Sequence, residues 1–153
     1  MSTVCAIGIQ TKTGKVKAIS LVDGDGSYDT VAPILRKFYN TKEKVEELIK
    51  LGNISYLGQE IGHKHDPECP EDNFCIALRR DKAARCATAA RNFENAEDYF
   101  EHHYNDVAEF VFLFVDGRWK YKPIDFDTDP RSRWKDVVET KPLFSYSKLE
   151  TTN

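Results

Sequence analysis

Two runs rich in Val and Ile, residues 3–10 and 15–22, flank the break at Lys12-Thr-Gly14 and predict a pair of strands joined as a hairpin. From Val31 the apolar spacing changes. Val31, Ile34, Leu35 and Phe38 recur at helical intervals, with Pro33 tolerated in the first turn, which predicts a helix near 30–39. A second helix follows, with Thr41 as its N-cap, Val45, Leu48 and Ile49 as its apolar face and Gly52 as its stop. Residues 58–73 are polar, and Pro67 and Pro70 argue against any regular element there.

The second half resumes with Phe74-Cys-Ile-Ala-Leu78, which reads as a strand, and Asp81 is placed to cap an Ala-rich helix running to about Arg91. Another helix begins after Asn95 and carries Tyr99, Phe100 and His103. Phe110-Val-Phe-Leu-Phe-Val115 is a strongly apolar strand, and Asp116-Gly117 signals a hairpin turn before Arg118-Trp-Lys-Tyr121. Together these elements predict an α+β fold, a mainly antiparallel sheet of about five strands with helices packed on one face. Residues 1–123 form the expected domain. Residues 124–153 read as an extension that packs on it or reaches a partner.

Composition narrows the function classes. A chain of 153 residues with 41% hydrophobic content suits one domain with an ordinary core. No apolar run approaches the ~20 residues that cross a bilayer, and the N-terminus lacks a basic segment followed by a long apolar one, so the expected location is the cytoplasm. A net charge of -3 argues against general nucleic-acid binding and against attraction to anionic membranes. In a reducing compartment the four cysteines, Cys5, Cys69, Cys75 and Cys86, are expected as free thiols.

Four constellations carry candidate chemistry. Arg79, Arg80, Lys82, Arg85 and Arg91 form a basic group within an acidic protein, and a helix starting near Asp81 would add N-terminal partial positive charge. They are the first choice for holding an anion, and loss of ligand binding is expected from Arg79→Ala or Arg80→Ala. The run Asp23-Gly-Asp-Gly-Ser-Tyr-Asp29 alternates oxygen-bearing side chains as a calcium loop does, but Tyr28 stands where the sharp turn needs glycine and Ile34 where the bidentate glutamate belongs. A strand-to-helix turn capped by Asp29 or Thr30 is favoured there, with Asp23, Asp25, Ser27 and Tyr28 as ligand contacts. His63, His65 and Cys69, with Cys75 nearby, supply the donor types that zinc prefers, at a spacing that matches no established zinc motif. A cofactor is otherwise not expected.

The aromatic set Tyr99, Tyr104, Trp119, Tyr121 and Trp134 reads mainly as core, with Trp119 and Tyr28 able to stack on a base. His102 and His103 read as packed or surface residues. Walker, nucleophile-elbow, HExxH and paired His-x-Thr signatures are all missing, which lowers the expectation of an enzyme.

Two stretches carry a resemblance: Lys44-Val-Glu-Glu-Leu-Ile-Lys-Leu-Gly-Asn-Ile-Ser-Tyr-Leu-Gly58 with the following His63-Lys-His65, and Val115-Asp-Gly-Arg-Trp119. Over about residues 4–121 the chain resembles a family of small proteins encoded by bacteriophages and prophages. Many relatives place His-Trp-Asp-Gly-Tyr after the second strand, where this chain reads Leu21-Val-Asp-Gly-Asp-Gly-Ser-Tyr28, so no role of that histidine or tryptophan transfers. The resemblance implies an accessory protein in the host cytoplasm that counters bacterial defence. The expected activity is noncatalytic sequestration of a small anionic, nucleotide-derived signal, and a homo-oligomer would suit it. The alternatives are a protein–protein inhibitor of a host defence enzyme acting through the acidic surface and C-terminal tail, and a metal-dependent nucleotide-processing enzyme using His63, His65 and Cys69.

Overall fold

A computed structural model describes residues 4–22, 24–68, 73–84, 88–104, 108–124 and 133–137. Strands β1 (Cys5–Gln10) and β2 (Val16–Leu21) form the expected antiparallel hairpin, with Cys5 opposite Leu21 and Gln10 opposite Val16. Helices α1 (Tyr28–Phe38) and α2 (Lys42–Lys50) follow, and the Thr41 hydroxyl caps α2 by accepting from the Lys44 amide at 3.2 Å. Strands β3 (Ile54–Tyr56), β4 (Ile76–Ala77) and β5 (Arg91–Phe93) come next, then α3 (Ala96–Tyr104). The chain closes through β6 (Phe110–Val115), β7 (Arg118–Pro123) and β8 (Lys135–Asp136).

The expected sheet of about five mainly antiparallel strands is corrected by this arrangement. One mixed sheet of eight strands runs in the order β4-β3-β2-β1-β6-β7-β8, with β5 also paired to β2. Two of its pairings are parallel, β1 with β6 and β2 with β3. Parallel partners lie far apart in sequence and need a crossover, so no local turn signal announces them. The strands missing from the sequence reading, β3, β5 and β8, have two or three residues each, too few to show an alternating pattern.

Helices also cover both faces of the sheet rather than one. Cys5, Ile7 and Ile9 point to a core shared with Val31 and Leu35 of α1 and Val45, Leu48 and Ile49 of α2. Ala6, Val111 and Leu113 point the other way, to a core built with Tyr99 and Phe100 of α3. Gly8 is small for a reason: a Cβ there would lie 3.2 Å from the Tyr99 ring and 3.1 Å from Ala18. Burial on both faces accounts for the unbroken apolar run of β6, since a central strand has no solvent side on which to place polar residues.

The helix expected from Asp81 to about Arg91 is replaced by a turn over residues 78–82, and Arg91 opens β5. The Asp81 carboxylate accepts instead from the Ala77 amide at 2.8 Å and the His65 amide at 3.1 Å, tying the turn back to the preceding loop. Beyond Pro123, strand β8 extends the sheet from β7, Trp134 packs against the α3 core and Val137 joins the opposite core. Among the described residues, no helix is long and apolar enough to cross a membrane.

Candidate functional site

Three elements meet at one end of the sheet. The first is the C-terminal end of α1, whose apolar side buries Val31, Ala32 and Leu35 and leaves Arg36 exposed. A cation in the last turn complements the negative end of the helix dipole, which gives Arg36 a local reason to be there. The second is the β6–β7 turn, where Asp116 and Gly117 adopt φ of 50° and 80°. Positive φ at both central residues is the hairpin geometry that matches strand twist, and it presents Arg118 at the start of β7.

The third element is β8. The Val137 amide donates to the Trp119 carbonyl at 2.9 Å, and Lys120 Nζ lies 3.1 Å from Asp136 Oδ1. Trp119 anchors the junction. Its indole Nε1 donates to the Tyr39 carbonyl at 2.7 Å and its ring meets Phe114 edge-on with centroids 5.2 Å apart. These contacts leave a recess of about 330 Å³ bordered by Arg36, Asn40, Gly117, Arg118, Trp119 and Asp136, with Val137 at its margin.

Charge sets this recess apart. Among the described residues neither the Arg36 nor the Arg118 side chain has a hydrogen-bond or ion-pair partner, so two residues with uncommitted guanidinium groups border one concavity. Guanidinium donors match the oxygens of phosphate and carboxylate in number and geometry. A second, more open groove of about 450 Å³ is bordered by Arg91, Asn92, Phe93 and His102, but there Arg91 Nη1 is already engaged 2.7 Å from His102 Nε2.

The residues expected to bind ligand are distributed over the molecule. Trp119 borders the recess. Tyr28 sits at the opposite end of α1, a helix of 11 residues and hence about 16 Å long. Its ring lies 4.5 Å from Tyr121 and 5.9 Å from Phe110, and burial, then the neighbouring Tyr121, pushes its hydroxyl up to about 12. Asp25 accepts from the Ser27 amide at 3.0 Å and the Thr30 hydroxyl at 2.7 Å, bonds that order the start of α1. Hydrogen bonds from Ser27 and Thr30 hold its carboxyl below the usual range.

Arg80 is committed to the fold. Its Nε and Nη2 donate to Asp81 at 3.0 and 3.1 Å, Nη1 donates to the Ile61 carbonyl at 2.9 Å, and Nη2 also donates to the Cys75 carbonyl at 2.9 Å. Four of its donor positions are used on the protein itself, whereas Arg79 and Lys82 are exposed. Burial raises the Asp81 carboxyl, but hydrogen bonds from Arg80, Ala77 and His65 outweigh that and hold it below the usual range. Asp23 and Arg85 lie outside the described residues.

Of the metal-ligand candidates, Cys69 also lies outside the described residues. His65 Nδ1 is 2.9 Å from the His63 carbonyl and 3.5 Å from Asp81 Oδ1, so it carries a hydrogen, while its buried Nε2 has no partner among the described residues. His63 Nδ1 makes a similar contact, 3.0 Å from the Lys64 carbonyl. Among the described residues, no three His, Cys, Asp or Glu side chains come together as a metal would require. Cys75 is buried, close to the Tyr39 hydroxyl at 3.4 Å, and burial raises its thiol, which makes it a poor nucleophile at neutral pH.

Arg36, Asn40, Arg118 and Asp136 are absent from the residues singled out by sequence. Only Arg118 carried a usable signal, as the residue that follows the Asp-Gly turn. No protein-family model matches the chain, and no curated protein or solved structure matches it.

Proposed function

We propose that the protein sequesters a small anionic, nucleotide-derived ligand without transforming it, and that Arg36 and Arg118 hold the anion. The observation that supports this reading most is the pair of guanidinium groups, unpartnered among the described residues, that border one recess beside the fixed ring of Trp119. Each offers several parallel N–H donors, and a recess partly screened from water strengthens charge-assisted hydrogen bonds. The basic group at Arg79 to Arg85 has no such role in this reading, because Arg80 spends its donors on Asp81, Ile61 and Cys75. The bacteriophage resemblance supplies the biological setting, a host cytoplasm in which an infecting phage gains from removing a nucleotide-derived defence signal.

Native mass spectrometry of protein purified gently from bacteria with active nucleotide signalling tests the proposal. An added mass that matches a phosphate-bearing small molecule, and that is lost from an Arg36→Ala/Arg118→Ala double variant, is expected. The same spectrum reads the oligomeric state. A bare subunit mass from both proteins, or an adduct that survives both substitutions, contradicts it.

A further inference from the structure

We infer that the recess is selective for a phosphorylated sugar, with Arg36 and Arg118 on the phosphate and Asp136 on the sugar hydroxyls. This inference rests on the anion-binding reading above and names the part of the ligand that the site recognises. A recess built for a bare anion has no use for a carboxylate, which repels it. Asp136 nonetheless borders the recess that holds both arginines. A ligand that satisfies both signs carries an anionic group and, a short distance away, hydrogen-bond donors.

The chemistry of Asp136 selects the kind of donor. A carboxylate only accepts, and one oxygen, Oδ1, already faces Lys120 Nζ at 3.1 Å. Lys120 offsets the negative charge, which leaves Oδ2 suited to a neutral hydroxyl rather than to a second full cation. Position follows from the strand: the Val137 amide bonded to the Trp119 carbonyl sets the β7–β8 register, which puts Asp136 opposite Lys120. Asn40, which also borders the recess, offers both a donor and an acceptor.

Size and the state of Trp119 narrow the class further. A volume of about 330 Å³ falls at the lower end of small-molecule sites, suiting one sugar phosphate rather than a dinucleotide. Trp119 is only 4% exposed, with Phe114 against its ring, so it offers a base little stacking surface. The ribose phosphate part of a nucleotide, rather than its base, is therefore what the site reads.

Calorimetric titration of the full chain with inorganic phosphate, ribose 5-phosphate and AMP tests this. Ribose 5-phosphate is expected to bind about tenfold more tightly than inorganic phosphate, the scale of one hydrogen bond to a charged group, with AMP within about threefold of it. Asp136→Asn should erase that advantage while leaving phosphate binding in place, and Lys120→Met, which keeps the carboxylate, should preserve it. Equal affinity for phosphate and ribose 5-phosphate, or an advantage that persists in Asp136→Asn, overturns the sugar assignment alone. If neither compound binds, the anion-binding reading falls as well.

Discussion

Trp119 and Tyr39, 80 positions apart in sequence, are joined by an indole hydrogen bond of 2.7 Å to a buried carbonyl. This bond pins the end of α1 to the start of β7 and so ties together the two elements that carry Arg36 and Arg118. Trp119→Phe keeps an aromatic ring but strands the Tyr39 carbonyl and opens space in the core. A loss of about 3 kcal/mol in urea unfolding is expected.

Arg80 and Asp81 separate a structural role from a ligand role. The Asp81 side chain is fully buried and that of Arg80 partly so, at 0% and 18% exposure. Arg80→Ala leaves a buried carboxylate without its main partner and should cost about 3 kcal/mol or more. Its ligand affinity, measured on the folded protein, should stay within about twofold of wild type, since the substitution lies outside the recess. Arg79→Ala, at an exposed position, should change stability by less than about 0.5 kcal/mol.

The same carboxylate gives a signed pH dependence. Asp81 is held below its ordinary value of 3.8 in the folded protein. The unfolded chain therefore takes up the proton first as pH falls, so Asp81 contributes stability that is fully present above the ordinary value. That contribution is lost as pH drops through the depressed folded value. Urea midpoints of wild type should fall over this acidic window, and the fall should be shallower in Asp81→Asn, which starts from a lower midpoint.

Two glycines with similar backbones should respond differently to alanine. Gly52 and Gly117 have φ of 79° and 80°, so both substitutions carry left-handed strain of about 1 kcal/mol. Around Gly117 there is nothing within 4 Å. At Gly52 an added Cβ would run into the Thr88 carbonyl oxygen, which is already held by the Asn53 amide at 2.7 Å. Gly52→Ala should therefore lower the melting temperature clearly more than Gly117→Ala.

Much of the frame was legible because its signals are local. Thr41 caps α2, Gly52 follows its end with positive φ, and Asp116-Gly117 makes the tight turn between β6 and β7, each an interaction among neighbours in sequence. The parallel pairing of β1 with β6 had no such signal, since Cys5 and Phe110 are neighbours in space but far apart in sequence. Asp81 shows how a local rule loses to tertiary structure: its carboxylate finds better partners in Arg80, Ala77 and His65 than in a helix of its own. The recess was illegible for the same reason as the parallel strands. Arg36, Arg118 and Asp136 come from three separated elements, and only their docking around Trp119 makes them neighbours.

Strand β8 changes what a truncation can reveal. Removing residues 124–153 takes away Asp136, the Val137 amide bonded to Trp119, and the Trp134 ring near Lys122, whose Nζ is 4.0 Å from the Phe100 centroid and 5.9 Å from that of Trp134. The truncated chain should unfold at a lower temperature and bind ribose 5-phosphate weakly. Loss of partner binding on truncation would thus fail to separate an inhibitor acting through its tail from a ligand-binding protein. Asp136→Asn with the chain intact does separate them, because it alters the recess and leaves the rest of the tail in place.

The most direct measurement is a titration of isotope-labelled protein with ribose 5-phosphate, followed by backbone and indole amide resonances. The expected result is a set of saturable shifts centred on Asn40, Gly117, Arg118 and Asp136, with a matching change at the Trp119 indole and little change at Arg79, Arg80 or Lys82. Shifts centred on Arg79 to Lys82, or a spectrum unchanged at saturating ligand, would contradict it.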